Sequence, residues 1–233
     1  AKSYKVYDTE FDKLYKAHPH STESLLSVQD EELWEARRED FPLANGKSKL
    51  CQPSLGFEDT WRNNENHKTL RYRNLIDQAK ETQLAVKNRL LRSPMPLSRL
   101  EMQAKWPEFT RLGGTDMLPW GCGEAFDPGT KGEKRLVEKA DIKYEGNVAL
   151  LKDVSRFSIY YPDSETLFAG LEALRKNFVC VKIENRFRSP TVLGWRDVSV
   201  VIEETLTDHR WGPDGARHLC EIQLQLNGYT AAR

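Results

Sequence analysis

Residues 151–184, LKDVSRFSIYYPDSETLFAGLEALRKNFVCVKIE, decide the fold. Within them VSRFSIYY (154–161) alternates and is rich in β-branched and aromatic types, which suits a strand with one buried face. Pro162-Asp163-Ser164-Glu165 then opens a helix, because a short oxygen-bearing side chain can take up the free N–H groups of a first turn. Leu167, Leu171 and Leu174 recur at helical spacing and line one face of it. FVCVKIE (178–184) reads as a second strand. Working outward, RDVSVVIEET (196–205) and RHLCEIQLQL (217–226) read as two more, with a Gly-Pro-Asp-Gly turn signal in TDHRWGPDGA between them. Upstream, KGEKRLVEKADIKYE (131–145) is a basic helix that turns Leu136, Ala140 and Tyr144 inward. Helix, strand, helix, strand, strand, strand implies an α+β fold, a mixed β-sheet flanked by helices.

The sequence changes character near Gly113-Gly114. Before that point apolar residues are scattered among charges and turn formers. Residues 28–39 suggest a short charged helix capped by Ser27, with Asp30 at its third position. Segment 41–64 has no period and reads as an extended loop. A better helix spans 66–92, where Tyr72, Ile76, Ala79, Val86 and Leu90 form a broken stripe and Pro94 stops it. A further short helix is expected from Ser98 to Lys105. This half lacks the apolar spacing for a core of its own. Its lone aromatics, Tyr4, Phe11, Tyr15, Trp34, Phe57 and Trp61, look like pegs along a strap that wraps its own C-terminal domain or lies on another protein, the second being favoured. The expected division is residues 1–112 as a long, largely helical and irregular N-terminal extension and 113–233 as the α/β domain.

Lys plus Arg and Asp plus Glu both number 35, so the net charge is zero and a general electrostatic affinity for nucleic acid or anionic membrane is not indicated. RNA contact therefore has no support in the charge pattern. Apolar runs are too short for a membrane-spanning helix. Four cysteines stand at 51, 122, 180 and 220, none in a CxxC pair. An even count permits two disulfides, but the pattern reads better as four thiols in a reducing intracellular compartment, the cytoplasm or an organelle interior. The first residue is Ala1, compatible with a trimmed Met or a removed transit peptide. His18 and His20 read as incidental, and His209 and His218 have no nucleophile in pattern beside them. Gly121-Cys122-Gly123 is expected to be an ordinary loop, and Gly113-Gly114 lacks phosphate-loop spacing.

Two carboxylates carry the chemical interest. Asp153 sits at the entry to the first strand. Glu221 sits inside the last, on the face of Leu219, Gln223 and Gln225, opposite Cys220, Ile222, Leu224 and Leu226. A desolvated carboxylate needs a partner, and two of them from neighbouring strands suit a hard cation such as Mg²⁺. Basic residues surround them in sequence: Lys131, Lys134, Arg135 and Lys139 on the helix, Arg156 on the first strand, and Arg186, Arg188 and Arg196 around the third. The same spacing also suits a solvent-facing sheet with ordinary Arg–Glu pairs.

Segment 131–226 resembles the synthetase domain of the RelA/SpoT family, a nucleotidyltransferase-like fold that transfers pyrophosphate from ATP to the 3′-hydroxyl of GDP or GTP. The matching pieces are Lys-rich 131–139, Leu151-Lys152-Asp153-Val154-Ser155-Arg156, Gly194-Trp195-Arg196-Asp197 and Glu221-Ile222-Gln223-Leu224, in family order. The resemblance implies Mg²⁺ at Asp153 and Glu221, activation of the acceptor hydroxyl by Glu221, and nucleotide contacts from Lys131, Lys134, Arg135, Lys139, Arg156, Trp195 and Arg196. Departures are specific. In the family's D-x-x-G-x-R, Arg156 replaces the Gly and Ser158 the Arg. In its G-Y-x-S-x-H, Trp195, Asp197 and Ser199 replace the Tyr, Ser and His, although Trp195 keeps a face on which a base can stack. The family continues into further helix beyond the last strand, where this chain ends. The altered acceptor loop, that ending and the strap-like N-terminal half point to a catalytically reduced accessory subunit that binds other protein subunits through residues 1–112. Retention of Asp153, Glu221 and the basic helix points instead to an active Mg-dependent nucleotide pyrophosphokinase using ATP and a guanosine nucleotide.

Overall fold

The computed structural model describes residues 2–17, 19–40, 43–44, 47–48, 50–53, 65–92, 117–120, 123–211 and 215–227. The expected helix at 98–105, the change of character at Gly113-Gly114, Phe57, Trp61 and Cys122 lie outside them. Among the described residues there are five helices: α1 (Lys2–Ala17), α2 (Pro19–Ser27), α3 (Glu65–Arg92), α4 (Glu133–Tyr144) and α5 (Ser164–Asn177). A two-residue hairpin pairs β1 (Leu43–Ala44) with β2 (Lys47–Ser48). The main sheet holds β3 (Met117–Trp120), β4 (Gly123–Phe126), β5 (Ser155–Tyr161), β6 (Val179–Asn185), β7 (Val198–Leu206) and β8 (Ala216–Leu226), in the order β3-β4-β5-β8-β7-β6. Among the described residues only β5 and β8 run parallel, and every other neighbouring pair of this sheet is antiparallel. The sheet is mixed and flanked by helices, as the pattern of residues 131–226 implies.

Alternation decides which side of the sheet is which. Phe157, Ile159 and Tyr161 of β5, Cys220, Ile222, Leu224 and Leu226 of β8, and Val198, Val200 and Ile202 of β7 share one core with Leu167, Leu171 and Leu174 of α5. Asp163 caps α5, its carboxylate accepting from the Thr166 N–H at 2.8 Å. A second cluster joins Tyr72, Leu75 and Ala79 of α3 to Leu136 and Ala140 of α4 and to Val148, Leu151 and Val154. That cluster fixes the approach to β5, and hence Asp153.

The described parts of the N-terminal half close on this sheet. Leu25 and Val28 enter the main core, together with Val86 and Leu90 from the far end of α3. Of the two arrangements open to a strap, these residues adopt the wrapping of their own domain. The expected helix over 28–39 is replaced. Ser27 ends α2, residues 28–32 belong to no helix and form an isolated bridge from Glu31 to Ile183, and a 3-10 helix covers Leu33–Asp40. The cause is the open edge of β6. Glu31 gives its N–H to Ile183 O at 2.9 Å and accepts from Ile183 N at 2.8 Å, and Asp30 accepts from the Asn185 N–H at 2.7 Å. Extended pairing satisfies an edge whose backbone groups would otherwise stand unpaired.

β3 and β4 were not foreseen, since residues 121–123 read as a loop. The decisive position is Gly123 at the head of β4, which faces the Tyr161 ring. A Cβ there would lie 2.7 Å from Tyr161 Cε1. With no side chain in the way, β4 pairs with β5 from Glu124 opposite Tyr160 to Phe126 opposite Ser158.

Candidate nucleotide site

The sheet's other face is polar where β5, β8, β7 and β6 meet. Cα register sets Arg156 beside Glu221, Glu221 beside Val201, Gln223 beside Ser199, and Ser199 beside Glu184. Neighbours in register project to the same side, so these residues form a continuous stripe. On β6, Lys182 and Glu184 alternate with the buried Ile183 and share the stripe. Beside it, Trp34, Leu50, Val181, Val201 and Leu219 make a small apolar floor.

Asp153 reaches this face from the turn that precedes β5. Asn147 caps the 3-10 turn Val148–Leu150, accepting from the Ala149 N–H at 3.0 Å. Lys131 then donates its backbone N–H to Val154 O at 2.9 Å, which brings the head of α4 against Asp153. Lys131 and Lys139 both meet one oxygen, Asp153 Oδ2, with Lys139 Nζ at 2.7 Å. The other oxygen, Oδ1, is buried with no hydrogen-bond partner. Glu221 accepts from the Ser199 hydroxyl at 2.7 Å.

Asp153 and Glu221 line one cavity of about 320 Å³, together with Lys139, Lys143, Tyr144, Lys152, Lys182, Glu184, Arg186, Ser199, Val201 and Gln223. Five cations face three carboxylates there, so the cavity is short of negative charge. Burial pushes Lys152 below the ordinary lysine range, with Lys182 adding repulsion. Lys131 is also held low, by burial first and then by the charges of Lys139 and Arg156, despite its pairing with Asp153. Burial alone would raise the Asp153 carboxyl, but hydrogen bonds and charge from Lys131 and Lys139 outweigh it and hold the group below its usual range. Lys182 is raised, because Glu32 at 2.6 Å and Glu184 at 2.9 Å overcome its burial.

The basic residues singled out in the sequence divide into groups. Lys131 and Lys139 meet at Asp153. Lys134 and Arg135, on the outer side of α4, are exposed to solvent. Arg156 shares the face of Glu221 but does not line the cavity, and its Nε is buried without a partner. Arg186 lines the cavity, bonding Asp197 and Glu184 at 2.9 Å each. Trp195 and Arg196 lie in the loop between β6 and β7, outside the cavity lining. Trp195 Nε1 donates to Asp197 at 2.9 Å. Arg196 donates to Phe187 O at 2.7 Å, pairs with Asp8 at 3.1 Å and stacks over Phe11, 4.4 Å from its ring centroid. Asp197 itself is fully buried, and burial raises its carboxyl although Arg186 opposes the shift.

Sequence reasoning missed Lys143, Lys152 and Lys182 as cavity residues. Lys182 had a readable signal, a charge alternating with Val181 and Ile183 in a strand. Lys143, at the end of α4, and Lys152, in the segment before β5, had none, because no strand or helix period marks them as facing the cavity. Among the described residues no three His, Cys, Asp or Glu side chains cluster as a ready-made metal centre. Among the same residues no helix is long and apolar enough to cross a membrane.

The sequence matches no protein-family model, and no curated protein matches it. Solved structures are similar in fold. A GTP pyrophosphokinase family protein from Streptococcus pneumoniae has a TM-score of 0.47 and 14% identity, covering 68% of this chain and 70% of that one. Small alarmone synthetase 1 from Bacillus subtilis, bound to its product pppGpp, has a TM-score of 0.44 and 18% identity, with 69% and 76% covered. Small alarmone synthetase 2 from the same organism has a TM-score of 0.40 and 13% identity, with 70% and 72% covered. What these proteins share with the chain is fold alone, and nothing about ligand or activity passes from them to it.

Proposed function

We propose that the chain binds a nucleoside polyphosphate with Mg²⁺ in the Asp153–Glu221 cavity and transfers pyrophosphate from ATP to a hydroxyl of a guanosine nucleotide. One observation supports this above the rest: both carboxylates line a single cavity in which cations outnumber them. Polyphosphate is the ligand class that such a site takes, since lysines and arginines make their strongest hydrogen bonds to ionised phosphate oxygens. The residues fit Mg²⁺ as well. Such an ion commonly takes one or two carboxylates and fills its remaining positions with water and phosphate. Asp153 Oδ1, buried and unpartnered, and Glu221 would hold it. When bound, the ion would offset charge on the transferring group.

The chain's own residues account for the rest of the chemistry. Lys131 and Lys139, both on one Asp153 oxygen, can turn their remaining protons to phosphate. Lys152, Lys182 and Arg186 hold further oxygens. Ser199 orients the Glu221 carboxylate, which accepts the acceptor hydroxyl's proton. The freed oxygen attacks the β-phosphorus of ATP, and the bond from that phosphorus to the α–β bridging oxygen breaks. AMP leaves with that oxygen, and the β,γ-pyrophosphoryl group stays on the acceptor. Phosphoryl transfer asks of a protein mostly positioning and positive charge.

A second reading, a nucleotide-binding accessory subunit with reduced transfer, draws support from the β6–β7 loop. Trp195 is tied to the buried Asp197, and Arg196 to the N-terminal helix. Partner binding through residues 1–112 has less behind it, because Asp8, Phe11, Leu25, Val28 and Glu31 make their contacts with the chain's own domain. Incubation with ATP, GDP and Mg²⁺ separates the two. The transferase reading expects AMP and a 3′-pyrophosphorylated guanosine nucleotide, with Glu221→Gln slowing the conversion at least about 100-fold. Mg·ATP binding without turnover for any common acceptor nucleotide would favour the accessory subunit.

A further inference from the structure

Gln52 occupies an unusual place. It is fully buried, yet it lies in none of the named helices or strands. Its backbone N–H donates to Ala149 O at 2.7 Å. Its side-chain amide donates through Nε2 to Leu151 O at 2.7 Å and accepts through Oε1 from the Leu219 N–H at 2.8 Å. Leu151 stands two residues before Asp153, and Leu219 two residues before Glu221. One amide thus bridges the two chains that carry the candidate carboxylates, at the same distance upstream of each.

The reason lies in the ladder. The parallel pairing of β5 with β8 begins at Ser155 opposite Cys220. Upstream of that pair the two backbones share no rung, because residues 148–150 turn into a 3-10 helix. The Leu219 N–H and the Leu151 carbonyl would then be buried without partners, which costs each its full desolvation penalty. Gln52 supplies the missing rung, with donor and acceptor on one planar group as in a peptide bond. Leu50 and Leu219 pack in the floor beside it, so the rung is held by apolar contacts as well.

We infer that Gln52 is the positioning residue of the site: by bridging Leu151 and Leu219 it fixes the separation of Asp153 and Glu221, and so sets the affinity for the divalent cation that accompanies the nucleotide. The inference rests on the function proposed above. Groups that orient metal-binding side chains from behind typically change metal affinity by about 10–100-fold when removed.

The test compares ATP affinity of the full chain with excess Mg²⁺ and with EDTA, by calorimetric titration, alongside thermal unfolding. The ratio of the two affinities isolates the metal-dependent part, which a general loosening of the fold would not single out. Gln52→Met, close in shape and without the amide, should cut that ratio about tenfold while metal-free ATP binding stays within about twofold. Should Gln52→Met not fold, Gln52→Asn decides by the same comparison, since its amide is one methylene short of spanning both chains. A wild type that responds to Mg²⁺ and a variant that responds equally, or that loses both affinities in proportion, overturns this inference alone. A wild type whose ATP affinity does not rise with Mg²⁺ overturns the proposed function and this inference together.

Discussion

Asp153 carries two lysines on one oxygen and leaves the other buried and bare. Asp153→Asn would leave Lys131 and Lys139 close together without their shared anion, a loss of about 3 kcal/mol by the measure of other broken buried pairs. The pH dependence has a definite sign. A carboxyl held below its unfolded value contributes stability that is present above about pH 4 and is lost as pH falls through the folded value. The stability gap between wild type and Asp153→Asn should therefore be full at pH 7 and shrink below about pH 4, as read by urea denaturation. A gap that stays constant to pH 2 would contradict the pairing. His218 behaves in the opposite sense. Fully buried on β8, with Nδ1 3.4 Å from Gln78 Oε1, its imidazole is pushed down to about 3 by burial. The unfolded chain binds a proton near pH 6.5 that the folded chain refuses. Stability should fall by up to about 1.4 kcal/mol per pH unit as pH drops below about 6.5, and His218→Gln should remove that slope.

At the scale of elements, α3 tests how the N-terminal half relates to the sheet. Its buried face runs from Tyr72, in the cluster with α4, to Val86 and Leu90, in the core behind β8. Gln83 on the same face donates to Arg156 O at 2.8 Å and accepts from Arg156 N and Ser155 Oγ, pinning the start of β5. Leu90→Ala should cost about 2–5 kcal/mol in a single cooperative transition. A loss below about 0.5 kcal/mol, or a separate early transition, would mean that the helix is a detachable arm. The stripe of Tyr72, Ile76, Ala79, Val86 and Leu90 made the helix legible, because helical period survives in one sequence. Its destination was not legible. Thr82 and Gln83 are buried polar residues that interrupt the stripe, and the role of Gln83 appears only against β5. Residues 28–32 misled for a related reason. Ser27 and Asp30 are sound capping residues, and only the open edge of β6 makes Asp30 cap a strand residue instead.

Across the whole molecule, the α+β class, four of the six sheet strands and the facing of Glu221 were readable, because period-2 and period-3.6 patterns are local. β8 alternates as expected, with Cys220, Ile222, Leu224 and Leu226 in the core and Glu221 and Gln223 facing the cavity. β3 and β4 were hidden, since four-residue strands carry too little alternation and the fit of Gly123 against Tyr161 is a tertiary fact. The site was half legible. Asp153 and Glu221 stood out as acids at strand positions and Lys182 had a strand alternation to mark it, whereas Lys143 and Lys152 reach the cavity from positions that no spacing records. Everything functional then depends on those two acids serving one ligand. The direct measurement is calorimetric titration of wild type, Asp153→Asn and Glu221→Gln with ATP in excess Mg²⁺. Wild type should bind, and each variant should bind at least about tenfold more weakly while melting as a folded protein. Equal affinity in all three proteins would contradict the shared site.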